Sequence, residues 1–191
     1  MTSSTIGVFN LALAFLGGEQ LSNIQAPWED SALGRLCLNL WPFVLDEALS
    51  AHPWSFALAR AALAEKPEPT AEAGYPFRYA LPADCLRPVG LAGPYVLEGR
   101  DLLSAAPRAE LLYVRRVDDP ALWPPAFKVA LAWGLAVVLA SARLNDSPKQ
   151  KHCLERYNLA LREAMARDNN MRPPVPKASP WELARGGSCL A

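Results

Sequence analysis

Apolar positions recur at helical spacing at both ends of this chain and at shorter, alternating intervals in the middle. Near the N-terminus, Ile6, Phe9, Leu13 and Leu16 fall on one face of a helix. Thr2, Ser3 and Ser4 offer N-caps, and Gly17-Gly18 is a stop. A loop over 19–29 follows, with Ile24 and Trp28 as expected core anchors. Asp30 or Ser31 then caps a second helix running to Ser50. Its apolar face is Leu33, Leu36, Cys37, Leu40, Trp41, Val44, Leu45, Ala48 and Leu49. Pro42 lies inside that run, so a kink or an opened turn is expected there.

Pro53 ends or bends this path, and Trp54–Glu65 reads as a short helix or a partly extended segment, with Leu58–Leu63 helix-like in composition. The pattern then changes. Tyr79–Leu81, Leu86–Leu91, Tyr95–Leu97 and Glu110–Arg116 are short β-leaning runs, punctuated by Pro82, Gly90, Gly93-Pro94, Gly99 and Pro107. Tyr95–Leu103 predicts a hairpin turning near Glu98-Gly99-Arg100. Helical spacing resumes from about Pro125 to Leu144, after a Pro124-Pro125 start. Asn145-Asp146 ends that helix, and Ser147-Pro148 opens a last one to about Asp168. The expected fold is therefore mainly α: an antiparallel helical bundle (1–65 and 118–168) with a small inserted antiparallel β-sheet (75–117) and an extended C-terminal tail (169–191).

Composition narrows the function classes. With 191 residues the chain is long enough for one domain with a core, and with half its residues hydrophobic it is not globally disordered. Lys+Arg and Asp+Glu are 19 each, so no bulk charge draws it to nucleic acid. Cys37, Cys85, Cys153 and Cys189 are far apart, with no close ligand pair, and read as reduced thiols. No secretory leader is legible at the N-terminus. The apolar run Val129–Ala142 is shorter than the roughly 20 residues a spanning helix needs, so a buried core helix and no membrane partner are expected.

Candidate chemistry is sparse. Phosphate-loop, dinucleotide, zincin, nucleophile-elbow and calcium-loop spacings are absent from the sequence, and no catalytic residue, metal site or cofactor is expected. His152-Cys153 adjoin, but neighbours on a helix point in different directions. Asp46-Glu47 and Asp118-Asp119 read as solvated carboxylates. The arginines of the sheet-bearing half, Arg60, Arg78, Arg87, Arg115 and Arg116 among them, are an interface, a surface facing nucleic acid, or an ordinary solvated face. The Pro-rich tail carries a single aromatic residue, Trp181, and suits insertion into a partner's groove.

Certain residues in order carry a resemblance. His52-Pro53-Trp54-Ser55-Phe56-Ala57, Arg60-Ala61 and Leu63, followed by Tyr79–Arg87 (YALPADCLR), resemble the tail tubular protein A type of bacteriophage head-to-tail adaptor. Asn10–Leu13 with Leu16-Gly17 resembles that family's opening helix. Tyr95, Gly99 and Leu102-Leu103 resemble its hairpin, Leu112-Tyr113 its returning strand, and Trp123–Phe127 with the Ala/Leu-rich run after it the family's second half. The resemblance implies a structural virion protein with no catalytic residues. It would form a homo-oligomeric, twelve-fold ring between the portal protein and the tail nozzle protein, with double-stranded DNA passing through the lumen. It further implies that the tail reaches into the portal through Arg172, Pro173, Pro174, Val175, Pro176 and Lys177, then Pro180, Trp181, Leu183 and Arg185. Arg60, Arg78, Arg87, Arg115 and Arg116 are the candidate contacts between subunits. The alternatives are a small helical regulatory module that binds a protein partner and a cysteine-dependent enzyme using Cys153 or Cys85.

Overall fold

The computed structural model describes residues 3–18, 21, 31–68, 70, 72–144 and 147–171. Within them the chain runs α1 (Ser3–Phe15), α2 (Ala32–Ser50), β1 (Leu58–Ala62), β2 (Glu65–Lys66), β3 (Phe77–Ala80), β4 (Cys85–Leu91), β5 (Tyr95–Glu98), β6 (Asp101–Ser104) and β7 (Glu110–Arg115). A 3-10 turn (Pro120–Leu122), α3 (Pro125–Leu139), a π-helical turn (Ala140–Leu144) and α4 (Ser147–Asn170) complete it. The expected caps at Thr2 and Asp30, the anchors Ile24 and Trp28, the Asn145-Asp146 stop and the segment from Arg172 onward lie outside the described residues.

The expectation of a mainly α bundle with one small inserted sheet is not met. The described residues form an α+β fold with four α-helices and two antiparallel sheets, ordered β1-β7-β4 and β2-β3-β6-β5. One cause is Leu58–Ala62, which has helix-forming composition yet pairs as a strand with β7, Leu58 opposite Val114 and Ala62 opposite Glu110. Intrinsic helix propensity differs by only tenths of a kcal/mol among such residues, so long-range pairing decides the outcome. The expected bundle over 1–65 thus ends its helices at Ser50, and α4 runs two residues past the expected end at Asp168.

The helical side follows the apolar pattern. Ile6, Phe9 and Leu13 of α1 are buried, and Asn10 fixes the loop beyond by accepting from the Leu21 N–H (2.7 Å) and donating to its carbonyl (3.1 Å). Ser31 caps α2, its Oγ accepting from Gly34 N–H at 2.8 Å. The helix continues through Pro42, which leaves the Leu38 carbonyl without its helical donor. α3 packs against α1, α2 and α4, and nine of its residues, Phe127 through Leu139, are buried. Its apolar length, Pro125–Ala142, thus belongs to a helix at the centre of the core. Gly134 is the close-approach point: a Cβ there would sit 3.1 Å from Val44 of α2 and 3.2 Å from Tyr157 of α4. Burial, with a smaller contribution from Glu47, pushes the Tyr157 phenol up to about 12.

The sheets form a second, smaller core of Tyr79, Cys85, Leu102, Ala109, Leu111 and Tyr113. The expected hairpin is present as β5-β6, turning at Gly99-Arg100, with Gly99 in the left-handed region (φ 61°). Arg100 clasps the tip of that hairpin to the turn before β4, donating to the carbonyls of Pro82 (2.6 Å) and Cys85 (3.2 Å). Asp84 joins the same turn to β7: its carboxylate accepts from Tyr113 Oη (3.2 Å) and its carbonyl from Arg116 N–H (2.8 Å).

Candidate functional site

The segment His52–Ala57 is the joint between α2 and the sheets. Trp54 is 1% exposed and donates from Nε1 to the Ala48 carbonyl (2.9 Å), closing the end of α2 against the turn. Its ring meets Phe127 edge-on, with centroids 4.9 Å apart, and His52 at the same separation. Phe56 lies 5.0 Å from Phe127, and Trp123 and Trp41 extend the aromatic cluster through α3 toward α2. Aromatic pairs at such separations contribute about 0.5–1.5 kcal/mol each beyond their buried area.

Asp168 holds this joint from the other side. It is a buried carboxylate, 4% exposed, in the last turn of α4. It accepts from the Ser55 backbone N–H at Oδ1 (3.0 Å) and Oδ2 (3.1 Å), and from Ser55 Oγ at Oδ1. His52 Nε2 lies 3.3 Å from Oδ2 but is not aligned for a hydrogen bond. The sequence gives no sign of this contact, which spans 113 positions. The one local clue is a carboxylate at a helix C-terminus, where the helix dipole disfavours it.

A cleft of about 210 Å³ opens beside this joint. Its walls are Trp54, Pro124, Pro125, Ala126, Phe127, Ala164 and Met171, and Arg167 and Asp168 supply the polar groups.

The candidate arginines are distributed, not gathered. Arg60, Arg87 and Arg115 stand on β1, β4 and β7 of the three-stranded sheet, Arg78 on β3 of the other, and Arg116 just beyond β7. Arg60 is exposed. Arg78 is committed within the chain, bonding Glu98 at 2.6 Å and Asp101 at 3.0 Å, while Lys66 pairs with the same Asp101. Hydrogen bonds from Lys66 and Arg78 hold the Asp101 carboxyl below its usual range. Arg116 joins α2 to the exit of β7 through Asp46 and Asp118, both at 3.0 Å. Burial nevertheless raises the Asp46 carboxyl, outweighing the lowering by Arg116. Arg87 has buried Nε and Nη2 atoms with no hydrogen-bond partner among the described residues. Arg115 is half-buried, and its backbone N–H donates to the Ala57 carbonyl at the joint (2.8 Å).

The three described thiols are poorly placed for nucleophilic work. Cys37, Cys85 and Cys153 are buried, and desolvation pushes the Cys85 and Cys153 thiols up, away from the reactive thiolate. His152 is exposed while Cys153 is buried, so the adjacent pair faces apart. Among the described residues no group of three or more His, Cys, Asp or Glu side chains could hold a metal. The ten tail positions assigned to a portal contact, Arg172 through Arg185, lie outside the described residues.

No protein-family model matches this sequence, and neither does any curated protein. The adaptor resemblance therefore rests on the quoted residues alone.

Proposed function

We propose that this chain is a structural virion protein, a subunit of a head-to-tail adaptor ring that docks between a portal and a tail nozzle. The observation that carries the reading is the architectural role of the segment with the closest resemblance. His52–Ala57 is held by Trp54 on one side and Asp168 on the other, and YALPADCLR builds the Arg100- and Asp84-centred turn between the sheets. These hydrogen bonds tie the segment into the fold, which supports a structural role for it. Two chemically different ends also suit the head-to-tail contacts from which a ring is built. The helical end presents Phe43, 74% exposed on α2. The sheet end carries Arg60 on an edge strand.

On this reading the tail contacts the portal, the sheets face neighbouring subunits or the nozzle, and DNA passes through the lumen without specific recognition. Near-neutral charge suits that passage, because strong phosphate contacts would hold the genome back. The test is to mix the full chain with the purified portal of the same virus and image the particles. A ring of this chain, twelve-fold, beneath the portal is expected. Portals that remain bare at saturating concentration overturn the proposal.

A further inference from the structure

We infer that the outer edge of β1 accepts one further strand, an extended segment of a partner protein that sets a carboxylate opposite Arg60. At the two ends of the β1-β7 ladder, Arg115 N–H donates to the Ala57 carbonyl and Leu63 N–H to the Ala109 carbonyl, both at 2.8 Å. Bonded residues alternate along an antiparallel pair, so Ala59 and Ala61 also face β7, while Leu58, Arg60 and Ala62 turn their N–H and C=O groups outward. β1 is an end strand of its sheet, and among the described residues no strand pairs with that side. The open stretch has closed ends. The Trp54 carbonyl takes the Leu58 N–H at 3.0 Å, and two residues beyond Ala62 the Ala64 carbonyl takes the Ala80 N–H at 3.1 Å, next to the β2-β3 ladder. Between these two bonds Arg60 and Ala62, both exposed, keep free rungs over the length of one short strand. Two shallow grooves flank the same edge, one along Ser55, Leu58 and Arg60, the other along Arg60, Ala62 and Leu63, and they meet at Arg60.

Charge selects the occupant. Arg60 forms no ion pair among the described residues, whereas Arg78 and Arg116 are both paired with carboxylates of this chain. An acid directly across on an added strand is the favourable neighbour for Arg60, and a second cation the unfavourable one. Glu110 of β7 lies on the same face but on the far side of β1, about 10 Å from an added strand, where salt screens it. A second copy of the chain is the poorer occupant. Full-register antiparallel pairing of β1 with β1 sets Arg60 against Arg60. Of the other edge strands, β4 carries Pro88 and two register irregularities, β2 has two residues, and the Glu98 carboxylate of β5 is held by Arg78 at 2.6 Å. The inference stands apart from the adaptor reading, since it concerns one strand edge and any protein segment that presents the acid.

The probe is the peptide acetyl-TVEVT-amide, with acetyl-TVKVT-amide as its charge-reversed counterpart, titrated into the full-length protein while amide exchange is followed by NMR. Exchange at the Arg60 and Ala62 amides is expected to be fast without peptide and to slow by about tenfold or more with TVEVT, while Ala59 and Ala61, bonded to β7, stay as they are. TVEVT should bind about tenfold more tightly than TVKVT, and Arg60→Glu should invert that order. Ala62→Pro removes one outward N–H without touching the β7 ladder and should weaken both peptides about fivefold. No slowing at about 5 mM TVEVT, where a complex of millimolar Kd is mostly formed, overturns the inference. Equal binding of the two peptides by the wild type overturns it, because charge would then not select the occupant. Slow exchange at Arg60 and Ala62 before peptide is added overturns it as well: the edge is then covered, by a second copy if dilution of about a hundredfold restores fast exchange.

Discussion

Replacing Asp168 by alanine tests the joint directly. In the folded chain the carboxylate receives the Ser55 N–H and Oγ–H while almost fully buried. A hydrogen bond to a charged group contributes about 1.5–3 kcal/mol, and the exposure of Ser55 sets both bonds at the low end, so the gross loss is about 3 kcal/mol. Against it stands relief of a carboxylate held at the negative end of α4, worth about 0.3–1 kcal/mol. The net expectation is a loss of about 2 kcal/mol, which in a domain of this size lowers Tm by about 4–8 °C. Ser55→Ala removes only the hydroxyl donor and should cost about 1.5 kcal/mol. The assay is urea unfolding of both single variants and the double variant, followed by far-UV circular dichroism. The double variant should be less unstable than the sum of the two, since both remove the same bond. If Asp168→Ala stays within about 0.5 kcal/mol of the wild type, or the two changes add fully, Asp168 does not hold the turn and the reasoning fails.

Two further expectations follow from the packing and charge described above. Gly134→Ala gains about 1 kcal/mol in helix propensity, but its Cβ presses on Val44 and Tyr157 from two different helices. Overpacking of about 1–3 kcal/mol should win, lowering the urea midpoint without changing the m-value; a more stable variant contradicts the close approach. Asp101 is held below its ordinary carboxyl range by Lys66 and Arg78, so its contribution is complete above about pH 4 and fades as pH falls through the lowered value. Asp101→Asn should therefore be less stable than the wild type at pH 7, with the difference shrinking as pH falls below about 4; a difference that stays constant on acidification would remove Asp101 from the pH dependence.

The sequence reading succeeded where structure is local. Ile6, Phe9 and Leu13 are buried on α1, Ser31 caps α2, and Gly99 turns the β5-β6 hairpin, because each signal lies within one or two turns of the chain. It failed where distant segments decide. Leu58–Ala62 carries alanine, leucine and arginine, all good helix formers, and becomes a strand because β7 offers it a ladder. The division into two sheets follows from pairing choices, β4 with β7 and β3 with β6, that no single strand encodes. Asp168 escaped notice for the same reason, since its partner is fixed only when the ends of the fold meet. Among the candidate arginines, composition could not separate Arg78, neutralised by Glu98 and Asp101, from Arg60, which is exposed.

The strand order also sets a schedule for folding. In the sheet β1-β7-β4 the middle strand is the last one in the chain, whereas β5 and β6 can zip together across a two-residue turn as soon as both exist. During synthesis β1 and β4 therefore wait, each with an unsatisfied ladder, until residues 110–115 arrive to bridge them. β4 is partly guarded in that interval by Pro88 and by two register irregularities, features that discourage pairing with a stray strand. β1 has only the charge of Arg60. A lesion that weakens β7 thus leaves two open strands rather than one, and β1 is the edge at which misassociation would begin.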